Sequence, residues 1–106
     1  MTANLFAAIP DKLPDEAVAT LAASNHVRIE RIVSRGHASP PGFWYDQNEH
    51  EWVAVLQGEA EIAFEGQGQP VHLEPGDHLL IEAHRRHRVV FTAPDQDTIW
   101  LAVFFR

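Results

Sequence analysis

The stretch Glu51-Trp-Val-Ala-Val-Leu-Gln-Gly58-Glu-Ala-Glu-Ile-Ala-Phe-Glu65 decides how this chain is read. Its first half, Trp52 to Leu56, is an apolar run of strand length that stops at Gly58. In its second half Ala60, Ile62 and Phe64 alternate with Glu59, Glu61 and Glu65. A period of two places the apolar set on one face of a strand and the carboxylates on the other, so this strand has one dry and one wet side.

The same period recurs on both sides of that stretch. Upstream, Val27, Ile29 and Arg31 alternate with Arg28, Glu30 and Ile32, which predicts a strand over about 27–34. Downstream, short strands are expected at 71–73, 78–81, 87–92 and 98–105, and the last is apolar almost throughout. Glu74-Pro75-Gly76-Asp77 carries Pro and Gly where a type II turn requires them. Gly66 to Pro70 and Ala93 to Asp97 are further turns, and Gly36 to Gly42 is a loop with Pro40 and Pro41. Many short strands with closely spaced turns indicate an all-β sandwich or barrel. The N-terminal segment differs: Pro14 suits a first helical position, Asp15 and Glu16 suit a helix N-terminus, and Ala17, Val18, Leu21 and Ala22 recur at helical spacing. A short helix from about Pro14 to Ala23 is therefore expected, with Asn25 ending it. The chain is read as one domain over 1–106, with a helical segment at 1–25 and a β-barrel at 26–106.

Composition narrows the function classes. At 45% hydrophobic and 22% charged residues, the 106-residue chain has the make-up of a folded domain rather than a disordered one. With no cysteine, disulfide scaffolds, thiolate zinc sites, iron–sulfur clusters and thiol nucleophiles are excluded. Acidic residues number 15 against 8 basic ones, a net charge of −7, which argues against nucleic acid and anionic membranes as partners. No apolar run approaches the ~20 residues of a membrane span. Met1 to Lys12 has no signal-peptide character, so a cytoplasmic location is expected. No glycine-rich phosphate loop and no Gly-x-Ser-x-Gly elbow is present, so neither a nucleotide cofactor nor serine hydrolase chemistry is supported.

Gly42, Glu51 and Gly58, followed by Gly76, Glu82 and His87, resemble the two sequence motifs of the cupin superfamily. Glu51 and Gly58 match the Glu-x6-Gly end of the first motif, and His87 falls on the metal-binding His of the second. The resemblance spans roughly Val27 to Phe105. It departs from the family at the His-x-His pair, whose positions fall on Trp44 and Asp46 or on Tyr45 and Gln47. Glu82 also replaces the motif Pro, His84 its second Gly and Phe91 its Asn. The resemblance implies a double-stranded β-helix, or jelly-roll barrel, with a site in its mouth.

It further implies a small polar or anionic ligand held inside the barrel. Divalent-metal chemistry of sugar-phosphate isomerase type, mannose-6-phosphate isomerase-like, is one implied activity. A metal-free binding or sensing module is an alternative, and a dioxygenase a second alternative. The metal would be iron, manganese, nickel or zinc, with Glu51, His87 and one of Asp46 or Gln47 as ligands, and Glu51 and His87 as the catalytic pair. The plainer alternative makes Glu51 and His87 a hydrogen-bonded polar pair in the barrel mouth. Trp44, Tyr45, His50 and His84 are candidates for lining the substrate pocket, although His50 and Glu51, as strand neighbours, should face opposite ways. Arg85, Arg86 and Arg88 either bind an anion or pair on the solvent face with Glu59, Glu61 and Glu65. Trp52 is expected to point outward, and His26, His37, His72 and His78 are read as ordinary surface histidines. The resemblance also implies a homodimer.

Overall fold

The computed structural model describes residues 1–106 and contains strands and no helix. The strands are β1 (Ala17–Ala23), β2 (Val27–Ser34), β3 (His50–Gln57), β4 (Ala60–Phe64), β5 (Val71–Leu73), β6 (His78–Ile81), β7 (His87–Thr92) and β8 (Thr98–Phe105). A five-stranded sheet in the order β1-β2-β8-β3-β6 faces a three-stranded sheet in the order β5-β4-β7, and every pairing is antiparallel. The expected jelly-roll architecture is present; the expected N-terminal helix is not.

Residues 17–23 form an edge strand instead. A helix of about ten residues is marginal by itself in water, and Val18 and Leu21 are its only large apolar side chains. Extended against β2, the same segment gains a ladder of backbone hydrogen bonds from Ala17↔Val33 to Ala23↔Arg28. Leu21 is the extra residue of a bulge in that ladder and remains exposed. Ahead of β1 the chain runs along β2, where the Arg31 guanidinium donates to the carbonyls of Leu5, Ala7 and Ala8.

The two sheets close over Val53, Val55, Ile62, Phe64, Leu73, Ile81, Trp100, Ala102 and Phe104. Each large side chain among them contributes ~1.5–3 kcal/mol by leaving water, so this shared core, more than any polar contact, holds the sheets together. Gly58, at the turn between β3 and β4, has φ +84°. A Cβ there would lie 2.4 Å from Thr98 Oγ1 and 2.7 Å from Thr98 Cα, so the turn admits only glycine. At Glu74–Asp77 the Asp77 N–H donates to the Glu74 carbonyl (2.9 Å) and Gly76 has φ +94°, as the sequence predicts.

Candidate functional site

Strand register sorts the inward side chains of the large sheet into layers. Arg28, Phe104, Glu51 and Ile81 share the row nearest the mouth, since Arg28 and Glu51 both pair with Phe104 and Glu51 also pairs with Ile81. Glu30, Ala102 and Val53 form the next row, and Ile32, Trp100 and Val55 the deepest. On the small sheet, His87 pairs with Phe64 and Val89 with Ile62. Between the sheets lies a cavity of about 270 Å³. Its lining includes the polar side chains Arg28, Glu30, Gln47, Glu51 and His87, with Glu16 from the segment ahead of β1, and the apolar Ile32, Val53, Ile62, Val89 and Trp100.

His87 is 4% exposed. Its Nδ1 lies 2.8 Å from the Arg85 carbonyl. A carbonyl only accepts, so Nδ1 carries the proton, and in the neutral ring Nε2 is left as a bare lone pair. That lone pair faces Glu51 Oε1 at 3.6 Å, too far for a hydrogen bond. Gln47 donates its amide N–H to the same Oε1 at 3.2 Å, which leaves the Gln47 carbonyl oxygen as the amide's own donor atom to a cation. His87 Nε2 and the Glu51 carboxylate are a nitrogen and an oxygen donor of the kinds that divalent ions accept. The Nδ1–carbonyl bond orients the ring as outer partners of metal-binding histidines do.

Tyr45 is placed by the backbone. Its N–H donates to the His87 carbonyl (2.7 Å) and its carbonyl accepts from the His87 N–H (3.2 Å), an isolated bridge that lays the aromatic loop along β7. The Tyr45 and His87 rings stack with centroids 5.3 Å apart. Desolvation of the phenol pushes its pKa above the ordinary value, and the Glu16 and Glu51 carboxylates push the same way. The Gln47 carbonyl accepts from the His84 N–H at 2.7 Å, which pins the other end of the loop.

Arg28 stacks over Phe104, 4.3 Å from the ring centroid. Its Nε donates to Glu30 (2.7 Å) and its Nη1 to Glu49 (3.2 Å). Desolvation pulls its pKa down, but the hydrogen bonds and charges of these two carboxylates leave it raised. Further in, Glu16 accepts from the Ser34 hydroxyl, and Ser34 Oγ accepts from Trp100 Nε1 at 3.1 Å.

Of the residues singled out in the sequence, Tyr45, Gln47, Glu51 and His87 converge on this cavity. Asp46 turns away and contacts His84 Nδ1 at 2.8 Å on the surface. His84 sits in the left-handed region (φ +65°), where a glycine would be unstrained. His50 accepts from the Ala83 N–H and packs on Phe105, outside the cavity lining. Trp44 lies beside Arg88 rather than in the cavity. The three arginines also stay outside: Arg85 stacks over Phe64, Arg86 pairs with Glu65, and Arg88 donates to the carbonyls of Ser39 and Pro40. Arg28, Glu30 and Glu16 line the cavity and were not singled out. The alternation of β2 carried the signal for the first two, because Arg28 and Glu30 share the face of Ile32. No such pattern marks Glu16, which arrives with the edge strand.

A second cluster lies on the outer face of the small sheet. His72 Nε2 stands 3.3 Å from Glu59 and 3.5 Å from Glu74, and its Nδ1 3.3 Å from Glu61. Donor atoms of Glu59, His72 and Glu74 lie within 4.8 Å of one another, a spacing a metal ion can bridge.

Residues 31–104 match the sequence family described as Cupin domain. A solved structure from Ralstonia eutropha JMP134, named only provisionally as a mannose-6-phosphate isomerase, is 48% identical. It superposes with a TM-score of 0.95 over 99% of this chain and 97% of that one. A cupin superfamily protein of Desulfitobacterium hafniense DCB-2 is 23% identical, with a TM-score of 0.74 over 92% of this chain and 83% of its own. An RmlC-like cupin of Methanocaldococcus jannaschii with a double-stranded β-helix fold is 18% identical, with a TM-score of 0.70 over 92% and 86%. No curated protein matches the chain.

Proposed function

Because the chain belongs to the cupin family, we propose that its cavity binds a small polar molecule, on which Glu51 and His87 move a proton in the manner of an isomerase. The observation that carries this reading is His87 Nε2 facing the Glu51 carboxylate across 3.6 Å, both side chains largely buried. The gap between them would be completed by a proton, a ligand donor or a cation. His87 Nε2, Glu51 and Gln47 would hold a divalent ion, which when bound would polarise a carbonyl or hydroxyl oxygen of the ligand. Without the ion, Glu51 or His87 would take a proton from carbon or oxygen; with it, the His87 Nε2 lone pair is used and a free Glu51 oxygen would be the base, the stacked Tyr45 covering one side of the pair. The 48%-identical R. eutropha protein supports the isomerase class.

A metal-free binding module is the second reading. It is favoured by Trp44 and Asp46, two of the positions where the family's His pair would stand, lying outside the cavity.

Thermal unfolding of tag-free protein with added Mn²⁺, Fe²⁺, Ni²⁺ or Zn²⁺ separates the two. A bound ion at a hundredfold excess over its Kd stabilises by about 2.7 kcal/mol. The gain should vanish in His87→Ala and Glu51→Gln and survive in His72→Ala, which removes the outer cluster. No gain in the wild type, or a gain lost only in His72→Ala, favours the metal-free module.

We further propose that the protein is a homodimer. On the outward side of the large sheet Leu80, Trp52, Val103, Ile29 and Ala22 form one apolar row across the strands, with Leu80 46% exposed. A second copy packed there would bury the row, and Trp52→Glu should yield a monomer in sedimentation equilibrium.

A further inference from the structure

The charges around the cavity do not suit a phosphate. Three carboxylates line it, Glu16, Glu30 and Glu51, against one guanidinium, Arg28. Arg28 is already engaged: Nε is held by Glu30, Nη1 by Glu49, and its face covers Phe104. Arg85, Arg86 and Arg88, the other cations near the mouth in sequence, are committed elsewhere and do not line the cavity. His87 presents an acceptor rather than a donor when neutral, because its proton is on Nδ1. An entering phosphate dianion would therefore meet three carboxylates against one guanidinium whose charge Glu30 and Glu49 already offset. Beside side chains as buried as Glu30 and Glu51 such like-charge encounters are less screened than in open solvent.

The same arrangement suits a positive group. Glu51 and Glu30 are well buried, with side chains 12% and 13% exposed; Glu30 is shared with Arg28, whereas Glu51 has no cation partner beyond His87, so an ammonium beside Glu51 would form a charge-assisted hydrogen bond away from bulk water. The same cavity is lined by the aliphatic and aromatic Ile32, Val53, Ile62, Val89 and Trp100. A ligand charged at one end and apolar at the other matches a cavity that sets Glu51 and Glu30 beside these apolar side chains. Its volume, about 270 Å³, lies just under the ~300–1,000 Å³ of drug-sized pockets, so the molecule is small.

We infer that the ligand of this cavity is a small organic cation, a compact amine with an apolar body, and not a phosphorylated sugar. This rests on the reading of the cavity as the binding site and deepens it; it does not depend on the metal.

The test is isothermal titration of chelator-treated full-length protein with 2-phenylethylamine, its uncharged isostere 2-phenylethanol, mannose 6-phosphate and inorganic phosphate. The amine is expected to bind about tenfold or more tightly than the alcohol, the scale of one charge-assisted hydrogen bond, and the phosphates are expected not to bind. Glu30→Gln should weaken the amine about tenfold and, by releasing Arg28, admit mannose 6-phosphate. Equal affinity for amine and alcohol, binding of either phosphate to the wild type, or no binding of the amine overturns the inference. The wild-type titrations decide this even if Glu30→Gln fails to fold. With the chelator present, failure of the metal-assisted reading leaves these outcomes unchanged.

Discussion

His87 and His72 stand on the same three-stranded sheet, one on β7 facing inward and one on β5 facing out, and each meets glutamate. His72 has three carboxylates within 3.5 Å, and His87 has one at 3.6 Å. By proximity alone the outer cluster should dominate. Solvent reverses the ranking. The outer side chains are 36–68% exposed, whereas His87 and Glu51 are 6% and 12% exposed. A unit charge pair at 4 Å is worth ~1 kcal/mol in water and several times more near a protein interior, and exposed pairs are further diminished by salt and side-chain entropy. The cavity pair also has its ring held by a backbone carbonyl and a stacked tyrosine, while His72 has only exposed glutamates. Burial and positioning, more than the number of partners, distinguish the inner pair.

The largest expected effect is at His87. His87→Ala removes a buried ring packed between Tyr45 and Phe64 and leaves the Arg85 carbonyl without its partner, at a cost of about 2–4 kcal/mol in urea unfolding. His87→Phe, which keeps the ring, should lose less. A loss at His87 no larger than that at His72 would break the contrast.

Tyr45 supplies a spectroscopic check of the inner site, because it is the only tyrosine in the chain. Its phenolate absorbance should titrate above the ordinary 10.0, from desolvation first and then from Glu16 and Glu51. Glu51→Gln should lower that midpoint. A midpoint at or below the ordinary value, unmoved by the substitution, would place Tyr45 away from the carboxylates.

The smallest effect belongs to His72. Desolvation is the largest single influence and lowers its pKa, but the Glu61 hydrogen bond and the charges of Glu59, Glu74 and Glu61 together leave it raised. The folded form therefore binds the proton more tightly than the unfolded chain. The resulting stabilisation is complete below about pH 6.5, the ordinary histidine value, and is lost as pH rises through the higher folded pKa. Melting temperature against pH, measured in chelator, should show this shallow decline in the wild type and less of it in His72→Ala. Added salt should erase it. A rise in stability over the same range, abolished by His72→Ala, would contradict the raised pKa.

Much of the barrel was legible because its strands alternate strictly. Ala60, Ile62 and Phe64 against Glu59 and Glu61 admit one orientation, and a slip of one residue would bury the acids. Residues 17–23 were not legible, because alanine-rich segments are good helix formers and only a neighbouring strand offering an unpaired edge makes extension preferable. In the site, Glu51 and His87 were recognisable from motif spacing and strand parity. The aromatic loop was not: Trp44, Tyr45, Asp46 and Gln47 have no period of their own. The Tyr45–His87 backbone bridge sends Tyr45 and Gln47 into the cavity and Asp46 to His84. His84 and His50, near in sequence to His87 and Glu51, are drawn off by partners of their own.

Taken alone, the sequence determined the strands from residue 27 onward and their turns, because side-chain alternation and turn stereochemistry are local constraints, while Glu51 and His87 came forward through the resemblance to the cupin motifs. The tertiary structure decided which charges surround that pair. Glu16 stands just ahead of edge strand β1 and Arg28 and Glu30 on β2, and strand pairing in the large sheet, closed over by the small one, brings them around Glu51 and His87. Arg28 is held by Glu30, two residues along the same strand, and by Glu49, just ahead of β3; the second contact exists only because β2 and β3 both pair with β8.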